Sequence, residues 1–157
     1  MGSRSKADLA YIAGFLDGDG SLMLQIKKRK DGNISRKRFM VTICFYQDSR
    51  HAEPLCWIQE VLGIGYISHR KDGISELRVN GYKQIERILK MLLPYIKFKK
   101  VQAELLLKSV KILQKKILRE DDLRKLADNI VLVQNENYVT KRKRSKNELL
   151  QVLGLTP

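Results

Sequence analysis

Across Gly18-Asp19-Gly20 the apolar period of the chain changes from that of a helix to that of a strand. Before it, Leu9, Ile12, Ala13 and Leu16 recur at helical spacing behind a capping box, Ser5-Lys6-Ala7-Asp8. After it, Ser21 to Lys30 alternates strictly. Leu22, Leu24 and Ile26 point one way, while Met23, Gln25, Lys27 and Arg29 point the other. A strand of this kind buries one face and leaves the other polar, as in a sheet that covers something charged rather than one sandwiched by helices.

The same grammar continues downstream. Asp31-Gly32-Asn33 predicts a turn, and Phe39 to Gln47 alternates again with Val41, Ile43 and Phe45 inward. A helix carrying Trp57, Ile58, Val61 and Leu62 closes at Gly63. Ile64 to Arg70 and Ile74 to Val79 then form a second hairpin around Lys71-Asp72-Gly73, and a helix from about Gln84 to Leu93 is stopped by Pro94. Val101 to Leu118, Asp121 to Val133 and Asn147 to Leu153 read as further helices. The pattern predicts an α+β fold in the order helix, hairpin-helix twice, helical tail over about 101–157. With 157 residues and no Gly/Pro/Ser-rich linker, residues 1–157 read as one domain with one sizeable core.

Charge narrows the partners. Lys and Arg number 31 against 17 Asp and Glu, a formal charge of +14 spread along the whole chain. Such a balance points to a polyanion, nucleic acid first. A membrane surface would need a basic amphipathic helix, which the pattern lacks, and no apolar run approaches the ~20 residues of a span. The opening Met1 to Lys6 has no hydrophobic signal region, and Lys6 stands where an N-myristoylation motif has Ser or Thr. Cys44 and Cys56 lie in apolar segments and, with His51 and His69, are not spaced for zinc. The expectation is a reduced, intracellular protein of cytoplasm or organelle matrix, not a secreted one.

The stretch Ile12-Ala13-Gly14-Phe15-Leu16-Asp17-Gly18-Asp19-Gly20 carries the chemistry. Asp17 and Asp19 end a helix, where the macrodipole disfavours negative charge unless a cation or a hydrogen-bond donor is supplied nearby. A flexible Asp-Gly turn is the plain reading. A calcium loop fails, because Leu22 occupies the required Gly position and Lys28 the bidentate Glu position. A two-metal nuclease site would need a second set of carboxylates that the chain does not repeat.

Tyr11 to Ser21 resembles the LAGLIDADG motif of homing endonucleases, with Ile12 for Leu, Phe15-Leu16 for Leu-Ile and Gly18 for Ala. The family fold, α-β-β-α-β-β-α, is the order read above. The resemblance runs from about Leu9 to the final helix and is closest to the single-motif, homodimeric branch. It implies two motif helices packed across a dimer axis, with Ala10, Ala13 and Gly14 allowing their close approach. Each helix then delivers Asp19 to a pair of abutting centres, with Gly18 beside it in the metal site and Mg²⁺ as the expected divalent metal. The missing carboxylates thus come from the second subunit. The resemblance further implies that Gln47 positions a metal-bound water and that Lys99, in Pro94-Tyr95-Ile96-Lys97-Phe98-Lys99, is the basic residue near the scissile phosphate.

Specificity is expected from the polar sheet face: Gln25, Lys27 and Arg29 on strand one, Arg38, Met40 and Cys44 on strand two, Ser68 and Arg70 on strand three, Glu76 and Arg78 on strand four. Such a ribbon fits a major groove, where Arg and Lys read guanine, Gln adenine and Glu cytosine, and apolar groups meet thymine methyls. Lys141, Arg142 and Lys143, within the run to Lys146, are expected to contact phosphates, and Ser145 to cap the last helix. The leading expectation is a homodimeric, metal-dependent endonuclease cutting both strands of a long, near-palindromic duplex. An RNA-binding intron maturase and a DNA-binding regulator on the same scaffold are the competing classes. Neither needs Asp19, Gln47 and Lys99 together.

Overall fold

A computed structural model describes residues 4–28, 37–137 and 141–157. The order is α1 (Lys6–Asp19), β1 (Gly20–Lys28), β2 (Lys37–Asp48), a single 3-10 turn (Ser49–His51), α2 (Glu53–Leu62), β3 (Tyr66–His69), β4 (Ile74–Asn80), α3 (Tyr82–Leu92), α4 (Lys100–Leu113), α5 (Glu120–Glu136) and α6 (Lys146–Val152). The expected turn at Asp31-Gly32-Asn33 lies outside the described residues.

Ser5 caps α1 as its sequence predicts: its hydroxyl accepts from the Asp8 N–H at 3.0 Å, and the Asp8 carboxylate accepts from the Ser5 N–H at 3.3 Å. Helix passes into strand without a loop at Gly20. A Cβ there would stand 2.6 Å from Leu16 Cδ1 and 2.8 Å from the Leu16 carbonyl, so the junction admits only glycine. Gly63 ends α2 in the left-handed region, at φ 69°. The carbonyls exposed at that helix end are taken by Arg4, whose guanidinium donates to Val61 O at 3.1 Å and Leu62 O at 3.2 Å. Arg87 donates to Leu62 O as well.

The four strands form one antiparallel sheet in the order β1-β2-β4-β3. Its register sorts the side chains cleanly. Leu22, Leu24, Ile26, Val41, Ile43, Phe45, Leu77 and Val79 are buried against the helices, with Ile12, Ala13 and Leu16 of α1 among them. Each large one contributes about 1.5–3 kcal/mol of burial. The opposite face carries the polar set, and among the described residues no helix is laid across it. Several boundaries differ from expectation: β3 is shorter than Ile64 to Arg70, and α5 runs past Val133 to Glu136. The helix read over Val101 to Leu118 stops at Leu113, because the chain bends to return Leu118 to the core and to pair Lys115 with Asp122 at 2.7 Å.

Candidate active site and nucleic-acid interface

The two motif carboxylates, equivalent in the sequence, have different fates. Asp17 is half-buried and fully engaged: its carboxylate accepts from the N–H groups of Lys97 (2.7 Å), Phe98 (3.2 Å) and Lys99 (3.0 Å), immediately ahead of α4. Asp19 is exposed, and its carboxylate has no hydrogen-bond or ion-pair partner among the described residues. Of the two remedies for a carboxylate at a helix C-terminus, Asp17 receives donors, and Asp19 has neither donor nor paired cation among the described residues.

Lys99 comes to the same place. Its ammonium donates to the Asp17 carbonyl at 2.5 Å. Burial pushes it below the usual lysine range, opposed by the charges of Asp17 and Asp19. Gln47 lies at the end of β2, two residues beyond Phe45, the register partner of Gly20, so it flanks the motif's end. Its side-chain oxygen accepts from the Asp48 N–H at 2.9 Å, and its amide nitrogen has no partner among the described residues. Lys99 thus joins Asp17 and Asp19 at one helix end, and Gln47 lies near the end of the strand paired beside it.

This end suits a hard divalent ion in its chemistry and not in its count. Carboxylate oxygen is the donor that Mg²⁺ and Ca²⁺ prefer. Among the described residues, however, no group of three or more His, Cys, Asp or Glu is gathered for a metal. One chain offers an incomplete donor set. The outer face of α1 is open: Ala10, Gly14 and Gly18 are exposed in line, and a Cβ on Gly14 or Gly18 would meet nothing within 4 Å. Tyr11 on this side is 61% exposed and packs edge-on against Trp57 at 5.5 Å. Ala13 departs from expectation. It is fully buried in its own subunit's core and has no surface to offer a partner helix.

On the sheet's open face, Gln25, Lys27, Arg38 and Arg70 are exposed, and Met40, Ser68 and Arg78 partly so. Arg29 lies outside the described residues. Two expected base contacts are corrected. Cys44 is on the right face but fully covered, and burial raises its thiol pKa. Glu76 is only 4% exposed, gripped by Arg70 Nη1 at 3.1 Å and Arg78 Nε at 2.5 Å. Its carboxylate is saturated by arginines and is not presented to cytosine. It fixes the two side chains beside it.

The sequence reading missed Tyr66, Tyr46, Ser21, Thr42 and Asn80. Tyr66 pairs with Arg78 on this face and is 51% exposed, while Ser21 and Tyr46 share a hydrogen bond at 2.9 Å, as Thr42 and Asn80 do. Strand alternation from Ser68 would have found Tyr66. Lys141, Arg142 and Lys143 are exposed. The run is tied back at Arg144, whose N–H donates to Gln134 at 3.1 Å and whose carbonyl accepts from it at 3.0 Å. Arg142 and Arg144 line a cavity of about 480 Å³ together with Gln25, Lys27 and Asn137, which brings the basic run against the free edge of β1.

The arrangement is an open, cation-rich sheet with an acidic helix end at its margin. The profile of the LAGLIDADG endonuclease family matches residues 12–111, and the chain belongs to that family. It is 34% identical over 149 residues to the DNA endonuclease I-CvuI of Chlorella vulgaris, covering 92% of this chain and 91% of that one. To I-CreI of Chlamydomonas reinhardtii it is 31% identical over 106 residues, 68% of this chain and 64% of the relative. A crystal structure of I-CvuI in complex with an I-CreI target in the presence of Mg, its DNA not cleaved, superposes with a TM-score of 0.80 at 30% identity, covering 95% and 94% of the two chains.

Proposed function

We propose that the protein is a site-specific homing endonuclease that makes double-strand cuts in a long, near-palindromic DNA target as a homodimer, with Mg²⁺ as its metal. The observation that carries this reading is the contrast at the end of α1: Asp17 satisfied by three N–H groups, Asp19 exposed without a protein partner and beside Lys99. A regulator or an RNA-binding maturase has no use for a carboxylate held in that state.

Packing of α1 against its copy through Ala10 and Gly14 brings two Asp19 carboxylates together, and these, with Gly18 beside each, would hold the metal. Bound there, a divalent ion supplies charge stabilisation for the phosphate and activation of water. The chain's own groups do the rest. Lys99 contributes a partly desolvated positive charge, which stabilises charge developing on the phosphate and polarises the water around it. Gln47 directs its free amide at that water. Gln25, Lys27, Arg38, Arg70 and Arg78 read base edges, and Lys141, Arg142 and Lys143 hold the backbone and so set the register.

Two free thiols suit a reducing compartment, cytoplasm or organelle matrix. No helix among the described residues is long and apolar enough to cross a membrane. The direct test is selection of cleaved molecules from a randomised duplex library with Mg²⁺ and again with chelator. Recovery of one long, two-fold-related consensus in Mg²⁺ alone is the expected result. An RNA ligand with no DNA cleaved in either condition would overturn it.

A further inference from the structure

We propose that Asp17, which the reading above leaves without a role, is a positioning residue that holds Lys99 at the reactive end of α1. The inference rests on Lys99 serving the scissile phosphate.

Asp17 belongs to the last turn of α1, yet its carboxylate is spent on a segment 80 to 82 residues away. One oxygen takes the N–H groups of Lys97 and Phe98, the other that of Lys99, and the Lys99 ammonium returns to the Asp17 carbonyl. The two residues are therefore joined in both directions, main chain to side chain and side chain to main chain. The position also exchanges a bad electrostatic site for a good one. A carboxylate is disfavoured at the C-terminus of α1, whereas the segment it reaches leads straight into the N-terminus of α4. Among the described residues the Lys99 ammonium makes no other hydrogen bond and no ion pair with Asp19, and α4, whose first turn takes the Lys99 carbonyl through the Ala103 N–H, has no side-chain cap of its own. Without Asp17 the segment 97–99 loses three charge-assisted bonds together, and Lys99 loses its fixed place next to Asp19.

Two measurements separate positioning from general stability. In metal-free protein, hydrogen exchange at the amides of Lys97 to Lys99 should accelerate in Asp17→Ala on the order of tenfold to a hundredfold, with the sheet amides unchanged. Single-turnover cleavage should slow by on the order of ten- to a hundredfold, with target binding in chelator retained. The double variant Asp17→Ala/Lys99→Met should cleave no more slowly than Lys99→Met alone, because Asp17 acts only through that lysine. Should Asp17→Ala fold poorly, Asp17→Asn retains an acceptor oxygen and is expected to fall between it and wild type in both measurements. Unchanged exchange at 97–99, lost target binding, or losses that multiply in the double variant would overturn the inference. Lys99→Met cleaving at full rate would overturn the role given to Lys99, and this inference with it. That outcome is told apart from a failure of positioning by the exchange measurement, which does not depend on Lys99 chemistry.

Discussion

Asp19→Asn isolates the motif carboxylate that the fold leaves without a partner among the described residues. The substitution keeps the shape and removes the charge, and no hydrogen bond or ion pair is lost with it among the described residues. Two small electrostatic effects oppose each other. Removing a negative charge from the C-terminal turn of α1 relieves the macrodipole, worth at most about 1 kcal/mol at an exposed site. Removing a charge that acts on Lys99 takes some of that back. For a chain of 157 residues, about 1 kcal/mol moves Tm by ~2–4 °C. The metal-free variant should therefore melt between the wild-type Tm and ~4 °C above it. The effect on chemistry is of another order. No cluster of three or more metal-ligating side chains stands by to replace Asp19 among the described residues. The substitution thus strips the ionised ligands from both centres of the dimer. With several kcal/mol of transition-state stabilisation at stake, cleavage should fall at least about 10³-fold. The assay is paired: duplex binding in chelator by mobility shift, where wild type and variant should agree, and single-turnover cleavage in Mg²⁺, where they should not. Cleavage at the wild-type rate would refute the assignment. Lost binding with a lowered Tm would make Asp19 structural and move the maturase or regulator forward.

Gly14→Leu should leave the subunit folded, since a Cβ there points into open space with no packed neighbour within 4 Å and leucine favours the helix by up to about 1 kcal/mol. Sedimentation should nevertheless show a monomer, and a variant that stayed dimeric and active would refute the helix-pair contact. Arg4→Ala removes a charged donor from the Val61 and Leu62 carbonyls at the end of α2 and should lower stability by about 1–3 kcal/mol in denaturant melts, without touching cleavage specificity. Glu76→Gln should loosen Arg70 and Arg78 together, broadening base preference at the positions they read in a cleavage profile instead of switching it. Lys115, and then the Arg119 N–H, hold Asp122 below the usual carboxylate range. Its contribution is complete above the unfolded value of about 3.9 and is lost as pH falls through the lowered folded value, so Asp122→Asn should flatten the acid end of a plot of Tm against pH.

The sequence by itself determined the order of elements and the assignment of faces. Both follow from local periodicity, and a slip of one residue in a strand such as Leu22 to Ile26 would turn its whole apolar set to water. It determined the Ser5 and Ser145 caps too, because a cap is made within three residues. What it left open were the quantities set by contacts remote along the chain. Asp17 and Asp19 are two residues apart and chemically identical in the sequence. Only the return of residues 97–99 against α1 satisfies one and leaves the other free. Alternation put Cys44 and Glu76 on the sheet's open face correctly. Whether a side chain on that face meets solvent depends on its cross-strand neighbours, and the arginines from β4 and the residue after β3 close over both. Ala13 and Gly14 adjoin in the motif, yet a helix turns about 100° per residue. That rotation sends Ala13 into its own core and Gly14 to the surface, and it takes the packed sheet beneath α1 to fix which is which.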